Sequence, residues 1–304
     1  MATSIFGTDG SDVIQGTPEA NYVELRGGND SYTDTSTAGN DTVNGGLGLD
    51  FIDAGNGNNL LDGGDGNDTL NSGNGNDTIN GGEANDSING GNGNNLLSGK
   101  LGNDTIVSGS GNDSISGGGG NDYLSSGNGN DTLDGGEGND TLIAEGGNNL
   151  LIGGAQNDTL RVLSGNSTLV AGDGNDVLGA ESGNNFLIGG EKNDTLTANG
   201  GNNTLVGGGG HDFLSSNNGI NHLDGGSLYD TFTTGSNSIN IIKANNNDTI
   251  NSGSGLDHIE IEEDNSNIWI NSNENTNAAI NGENAANDSV TWSRRTSNSS
   301  CFFR

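Results

Sequence analysis

Cysteine occurs once, as Cys301, so no disulfide within the chain can staple its fold. Lysine and arginine together number 8 against 41 aspartates and glutamates, and the resulting formal charge of -33 repels nucleic acid and anionic membrane surfaces. The natural counter-charge is a cation. Apolar residues make up only 28% of the 304, too few for one conventional core. No apolar run approaches the roughly 18 residues of a membrane span, and the start MATSIFGTDG has neither the basic nor the apolar segment of a Sec signal. Membrane insertion is not expected, and export would use a signal other than an N-terminal one.

High charge with little hydrophobicity is also the composition of disorder. Periodicity argues against that here. Aligned on the GND triplets, the chain keeps a register of nine from Asp41 to Asp257, making 25 repeats. Two residues after each register position the side chain is apolar in 25 of 25 cases, from Val43 and Ile52 through Phe232, Ile241 and Ile250 to Ile259. Each repeat reads as a Gly/Asn/Asp turn of six residues and a strand of three, whose middle side chain points inward. One apolar residue cannot make a core, but strands stacked about 4.8 Å apart join them into a continuous ladder. The expected fold is all-β: a parallel β-roll, or β-solenoid, of nine-residue repeats with two short strands per 18-residue coil. Residues 1–40 read as an N-terminal cap with the first irregular repeats, 41–260 as the roll, and 261–304 as an irregular C-terminal cap, with Ile268, Trp269, Ile270 and Trp292 as apolar anchors.

The repeats GGDGNDTLN (63–71), GGEGNDTLI (135–143) and AGDGNDVLG (171–179) closely resemble the GGxGxDxUx nonapeptide of RTX, or haemolysin-type calcium-binding, proteins. The resemblance runs over residues 7–260. It implies a parallel β-roll with Ca²⁺ held between successive turns. Each ion would take an aspartate oxygen from each of two turns one coil apart, together with carbonyl oxygens of the Gly-rich backbone. It also implies an extracellular protein exported by type I secretion. The ending SRRTSNSSCFFR departs from the acidic-hydrophobic close often found with that signal.

Sorting the register position by side of the roll gives two unlike rows. The first carries Asp12, Asp30, Asp50, Asp68, Asp86, Asp104, Asp122, Asp140, Asp158, Asp176, Asp194, Asp212, Asp230 and Asp248, with one two-residue insertion before Asp41. The second reads Asp41, Asn59, Asp77, Asn95, Asp113, Asp131, Asn149, Ser167, Asn185, Asn203, Asn221, Ile239 and Asp257. Only Asp113 and Asp131 adjoin there as carboxylates. Aspartates stacked about 5 Å apart repel one another, so an unbroken row needs cations between its rungs. Asparagine makes an equally good turn yet never enters the first row, which weighs against turn propensity alone.

Calcium suits the first row, because it accepts six to eight oxygens, carbonyls included, in flexible geometry. Magnesium demands a tight octahedron, and zinc lacks its ligands: His211, His222 and His258 are scattered and no cysteine cluster exists. The candidate metal ligands are therefore the 14 first-row aspartates with Asp113 and Asp131, and the Asn-rich side is expected to stack as neutral amides.

Strings such as GGEGND lack the Lys-Ser/Thr of a phosphate loop, no EF-hand loop is complete, and no catalytic constellation stands off the register, so an enzyme is not expected. The leading expectation is a secreted, adhesin-like structural module that folds on binding calcium. The rivals are an ice- or surface-binding protein using the pairs Asn56/Asn58, Asn74/Asn76, Asn92/Asn94 and Asn128/Asn130, and the repeat portion of a larger secreted toxin or hydrolase. An outward apolar stripe of Leu150, Ile152, Val170, Phe186, Ile188 and Val206 is a candidate surface for self-association or protein docking.

Overall fold

The computed structural model describes residues 3–35, 39–236, 238–245, 247–261, 267–272, 277–282, 289–294 and 300–303, with side chains described as far as residue 271. Every regular element among them is a β-strand, and the chain divides into two compact units, 1–154 and 155–304. Each unit is a parallel β-solenoid.

In the first unit, one ladder runs from Thr3–Phe6 through Thr42–Leu47, Leu60–Asp65 and Thr78–Glu83 to Thr132–Glu137. A second runs from Val13–Gln15 through Phe51–Asp53 and Thr69–Asn71 to Thr141–Gly146. Partners in the regular part are 18 residues apart, as Val43 to Leu61 and Leu61 to Ile79. The early insertion appears as Val23 paired with Val43. In the second unit the ladders start at Thr168–Asp173 and Thr159–Val162 and keep the same parallel order.

Strand alternation sends the middle side chain inward and its neighbours out. Leu61, Leu70, Leu97, Leu124, Leu133, Leu178, Leu187 and Leu214 are all fully buried, whereas the residues beside them, such as Leu60 and Phe213, stand exposed. The first residue of each turn also faces inward, so Leu25, Ala54, Ala144, Val162, Ala171 and Ala198 widen an otherwise thin core.

The uninterrupted register does not hold near residue 240. Asn221 pairs with Asn240 and Leu223 with Ile242, and Asn240 then pairs with Asp257. Ile242 is fully buried, Ile239 is 45% exposed and Asn240 is 0% exposed. Asn240 thus takes the row position assigned by counting to Ile239, and Ile242 the core position assigned to Ile241. The row needs an oxygen acceptor, which isoleucine lacks; Asn240 Oδ1 accepts from Ser216 Oγ at 3.0 Å and from Asn221 Nδ2 at 3.1 Å.

Beyond residue 261 the spacing stretches but the pairing goes on. Ile250 pairs with Ile270, Ile259 with Ile280, Ile270 with Trp292 and Ile280 with Phe303. Both ladders therefore continue through the described parts of the segment read as a cap. Ile268 and Ile270 are buried and Trp269 faces outward, while the side chain of Trp292 lies outside the described residues.

Glycine at the fourth turn position allows close stacking: at Gly66 φ is +142° and a Cβ would overlap the Gly48 carbonyl. Ala84 occupies the same position with φ +75°. A left-handed backbone costs an L-residue on the order of 1 kcal/mol, so Ala84→Gly is expected to raise the melting temperature by a few degrees, measured by circular dichroism at saturating calcium.

Candidate metal site

The residue that ends each turn is a buried polar group. Asp50, Asp68, Asp86, Asp104, Asp122, Asp176, Asp194, Asp212 and Asp230 are at most 3% exposed. Oδ1 of each aspartate accepts the backbone N–H of the corresponding aspartate one coil earlier. These bonds are 2.7–2.9 Å long from Asp12 to Asp140 in the first unit and from Asp158 to Asp248 in the second. The second row makes the same bond, as in Asp41 N–H to Asn59 Oδ1, Asn59 N–H to Asp77 Oδ1 and Asn185 N–H to Asn203 Oδ1. One oxygen of each register residue is therefore structural, and asparagine supplies it as well as aspartate does.

The second terminal atom distinguishes the rows. Oδ2 of Asp30, Asp50, Asp68, Asp86, Asp104 and Asp122, and of Asp176, Asp194, Asp212 and Asp230, is buried without a hydrogen-bond donor. The ends of the row differ. Asp12 Oδ2 accepts from Thr8 N–H at 2.6 Å and Thr8 Oγ1 at 3.0 Å, and Asp248 Oδ2 accepts from Asn245 N–H at 2.7 Å. In the second row an asparagine puts an NH₂ where the bare oxygen would be. Asn59 Nδ2 donates to the Gly55 and Ser72 carbonyls at 3.3 and 3.1 Å, and Asn203 Nδ2 to the Gly200 carbonyl at 3.0 Å. Asp77, Asp113 and Asp131 keep an open Oδ2 on that side.

A glycine opens the first-row turn beside the bare oxygen in most coils, with Leu25 and Ala171 in its place before Asp30 and Asp176. A Cβ added at Gly63 would lie 2.5 Å from both Asp68 Oδ2 and the Gly81 carbonyl oxygen, and one at Gly81, Gly99, Gly117, Gly189 or Gly207 would meet the equivalent pair under 3.0 Å. Carboxylate and carbonyl oxygens thus converge, acceptor against acceptor, on a cradle free of side chain. Such a pair is stable only with a cation or a proton between its members.

Burial raises the carboxyl pKa of Asp68, Asp104, Asp140 and Asp176. It pushes Asp86, Asp194, Asp230 and Asp248 up to about 7 and Asp50, Asp122 and Asp212 up to about 6, against the lowering effect of the backbone N–H bonded to Oδ1. Row neighbours add like-charge repulsion at Asp50, Asp86, Asp122, Asp194 and Asp230.

The donor set fits calcium. Among the described residues no three His, Cys, Asp or Glu side chains converge, so an ion here would draw much of its coordination from backbone carbonyls, as calcium readily does and zinc does not. The asparagine pairs expected to form a binding array are tied into the stack: Asn58, Asn76, Asn94 and Asn130 each accept the next coil's backbone N–H through Oδ1, and Asn74 and Asn92 link through their amides at 2.9 Å. Of the apolar stripe, Leu150 and Phe186 are exposed, and Val170 and Val206 flank Ile188 on paired strands.

No curated protein matches this chain. The family model for the RTX calcium-binding nonapeptide repeat matches eight times, over residues 4–33, 35–70, 62–97, 71–106, 98–133, 125–160, 152–187 and 179–214. A row of paired carboxylate and carbonyl oxygens in register with those matches places the chain in the RTX calcium-binding nonapeptide-repeat family.

Proposed function

We propose that this protein is a secreted structural module, adhesin-like and without enzymatic activity, whose roll folds when calcium fills the first row. The observation that carries this reading is the line of buried Oδ2 atoms with no protein donor. Asp30 to Asp122 in the first unit and Asp176 to Asp230 in the second would hold the ions, together with the carbonyls of first-position glycines such as Gly63 and Gly81. Calcium supplies positive charge and flexible oxygen coordination, so its binding free energy becomes folding free energy. Asp12 and Asp248, already served by Thr8 and Asn245, act as the ends of the row rather than as full rungs.

Extracellular calcium modules bind at about 10⁻⁴ to 10⁻³ M, a range that separates a low-calcium cytosol from the outside. A chain unfolded inside the cell could pass an export channel and fold on arrival. The family's repeats are typical of secreted proteins, which supports this placement.

Comparison of melting temperatures in chelator and in saturating calcium tests the assignment. Asp122→Asn keeps the Oδ1 acceptor for Asp104 N–H but removes a rung, so the calcium-induced rise should shrink by several degrees. Asn149→Asp, in the second row, should lower both melting temperatures and leave their difference unchanged. Equal calcium-induced rises in wild type and Asp122→Asn would reject the first row as the binding site.

A further inference from the structure

The second row holds five aspartates, and four have a serine five residues earlier, at the first position of the turn: Ser72 before Asp77, Ser108 before Asp113, Ser126 before Asp131 and Ser252 before Asp257; the turn to Asp41 carries the insertion and opens on buried Asp34. No first-row turn has a serine or threonine at that position; it is Gly in most coils, with Leu25, Ala171 and, after the slip near residue 240, Ala244 as exceptions. A first-position hydroxyl therefore accompanies a register carboxylate only on the side whose other turns carry asparagine.

First-position side chains point inward, beside the carboxylate of their own turn. Ser108 and Ser126 are 5% and 1% exposed, and neither hydroxyl has a hydrogen-bond partner. The same is true of Asp113 Oδ2 and Asp131 Oδ2. Each turn thus holds one unmatched donor and one unmatched acceptor. Elsewhere in the row the match is made: Ser252 Oγ donates to Asp257 Oδ2, which also accepts from Thr234 Oγ1 at 3.0 Å, and Tyr32 Oη donates to Asp41 Oδ2 at 3.0 Å. Asp77 is the exception: Ser72 Oγ donates to the Gly90 carbonyl at 3.0 Å, and Asp77 Oδ2 is left without a donor.

We propose that the first-position serines are internal donors that stand in for calcium at Asp113, Asp131 and Asp257, so that even the adjoining pair Asp113 and Asp131 takes no ion. Three chemistries then answer one problem, the second atom of the register residue. On the first row a cation neutralises it, at asparagines an NH₂ replaces it, and at Asp113, Asp131 and Asp257 a serine hydroxyl caps it. The first turn position selects between cation and hydroxyl: glycine leaves the cradle open and serine closes it. On this reading Asp113 and Asp131, candidate ligands from the sequence, take a hydroxyl in place of an ion.

This inference rests on the calcium reading of the first row and is tested separately from it by counting bound ions on the full chain by native mass spectrometry in calcium. Asp113→Asn/Asp131→Asn should bind the same number as wild type, and Ser108→Gly/Ser126→Gly should bind one more, bridging the two uncapped carboxylates. A lower count in the Asn double variant overturns the proposal, whether or not the Gly variant folds. So does a folded Gly double variant with no additional ion. A wild type that binds no calcium at all instead overturns the first-row reading itself.

Discussion

Removal of calcium is expected to abolish the β-sheet circular dichroism of the roll, and calcium but not magnesium should restore it. Ten first-row aspartates bury an Oδ2 that no protein group serves. Leaving a buried charge without its partner costs about 3–5 kcal/mol. Whole domains are stable by only about 5–15 kcal/mol, so a few such rungs consume the margin. The chain has little to set against that loss, since each coil buries only a narrow stack of side chains, and Cys301 has no second cysteine with which to form a cross-link. Magnesium holds its waters and prefers a rigid octahedron, which poorly matches a cradle of backbone carbonyls. A far-UV spectrum that survives exhaustive chelation unchanged would show that the row is neutralised from within, and the calcium-dependent reading would fall.

Acid should substitute for the metal. Burial raises the folded-state pKa to about 7 at Asp86, Asp194, Asp230 and Asp248 and to about 6 at Asp50, Asp122 and Asp212, from an ordinary 3.8. A group whose pKa is higher folded than unfolded favours the folded state when protonated. That contribution is complete below the unfolded value of 3.8 and is lost as pH rises through about 6 to about 7. Metal-free protein, unfolded at about pH 8, is therefore expected to regain β-structure on titration to about pH 5, with the proton taking the position between the oxygens. In subsaturating calcium the order is reversed, because protons compete with the ion, and the calcium midpoint should rise as pH falls below about 7. Circular dichroism across this range, with and without calcium, measures both arms. A metal-free chain equally disordered throughout would contradict the assigned burial of the row.

Much of this arrangement is legible along the chain. Side chains alternate in and out of a strand with period two, so a strict nine-residue repeat reveals which residue of each repeat is inward, and Leu61, Leu124 and Leu187 lie where that rule puts them. The difference between an all-Asp row and an Asn-rich row is equally plain, because it needs only the count of 18 between rungs. The slip that brings Asn240 and Ile242 inward is not plain. Ile239 and Ile241 satisfy the count, and only the need of the buried row for an acceptor decides against them.

The sequence by itself determined the repeat, the parallel roll and the row that carries charge, since each follows from residue type and spacing. The tertiary structure decided what each atom of the register residue does. Oδ1 holds the backbone of the preceding coil, while the second atom meets a glycine cradle, a carbonyl or a hydroxyl according to its turn. That division depends on groups brought into contact by stacking coils and by the path of each turn, and neither distance along the chain nor residue class specifies it. Hydrogen-bond partners are chosen over a few ångströms in space, and the stack sets that distance.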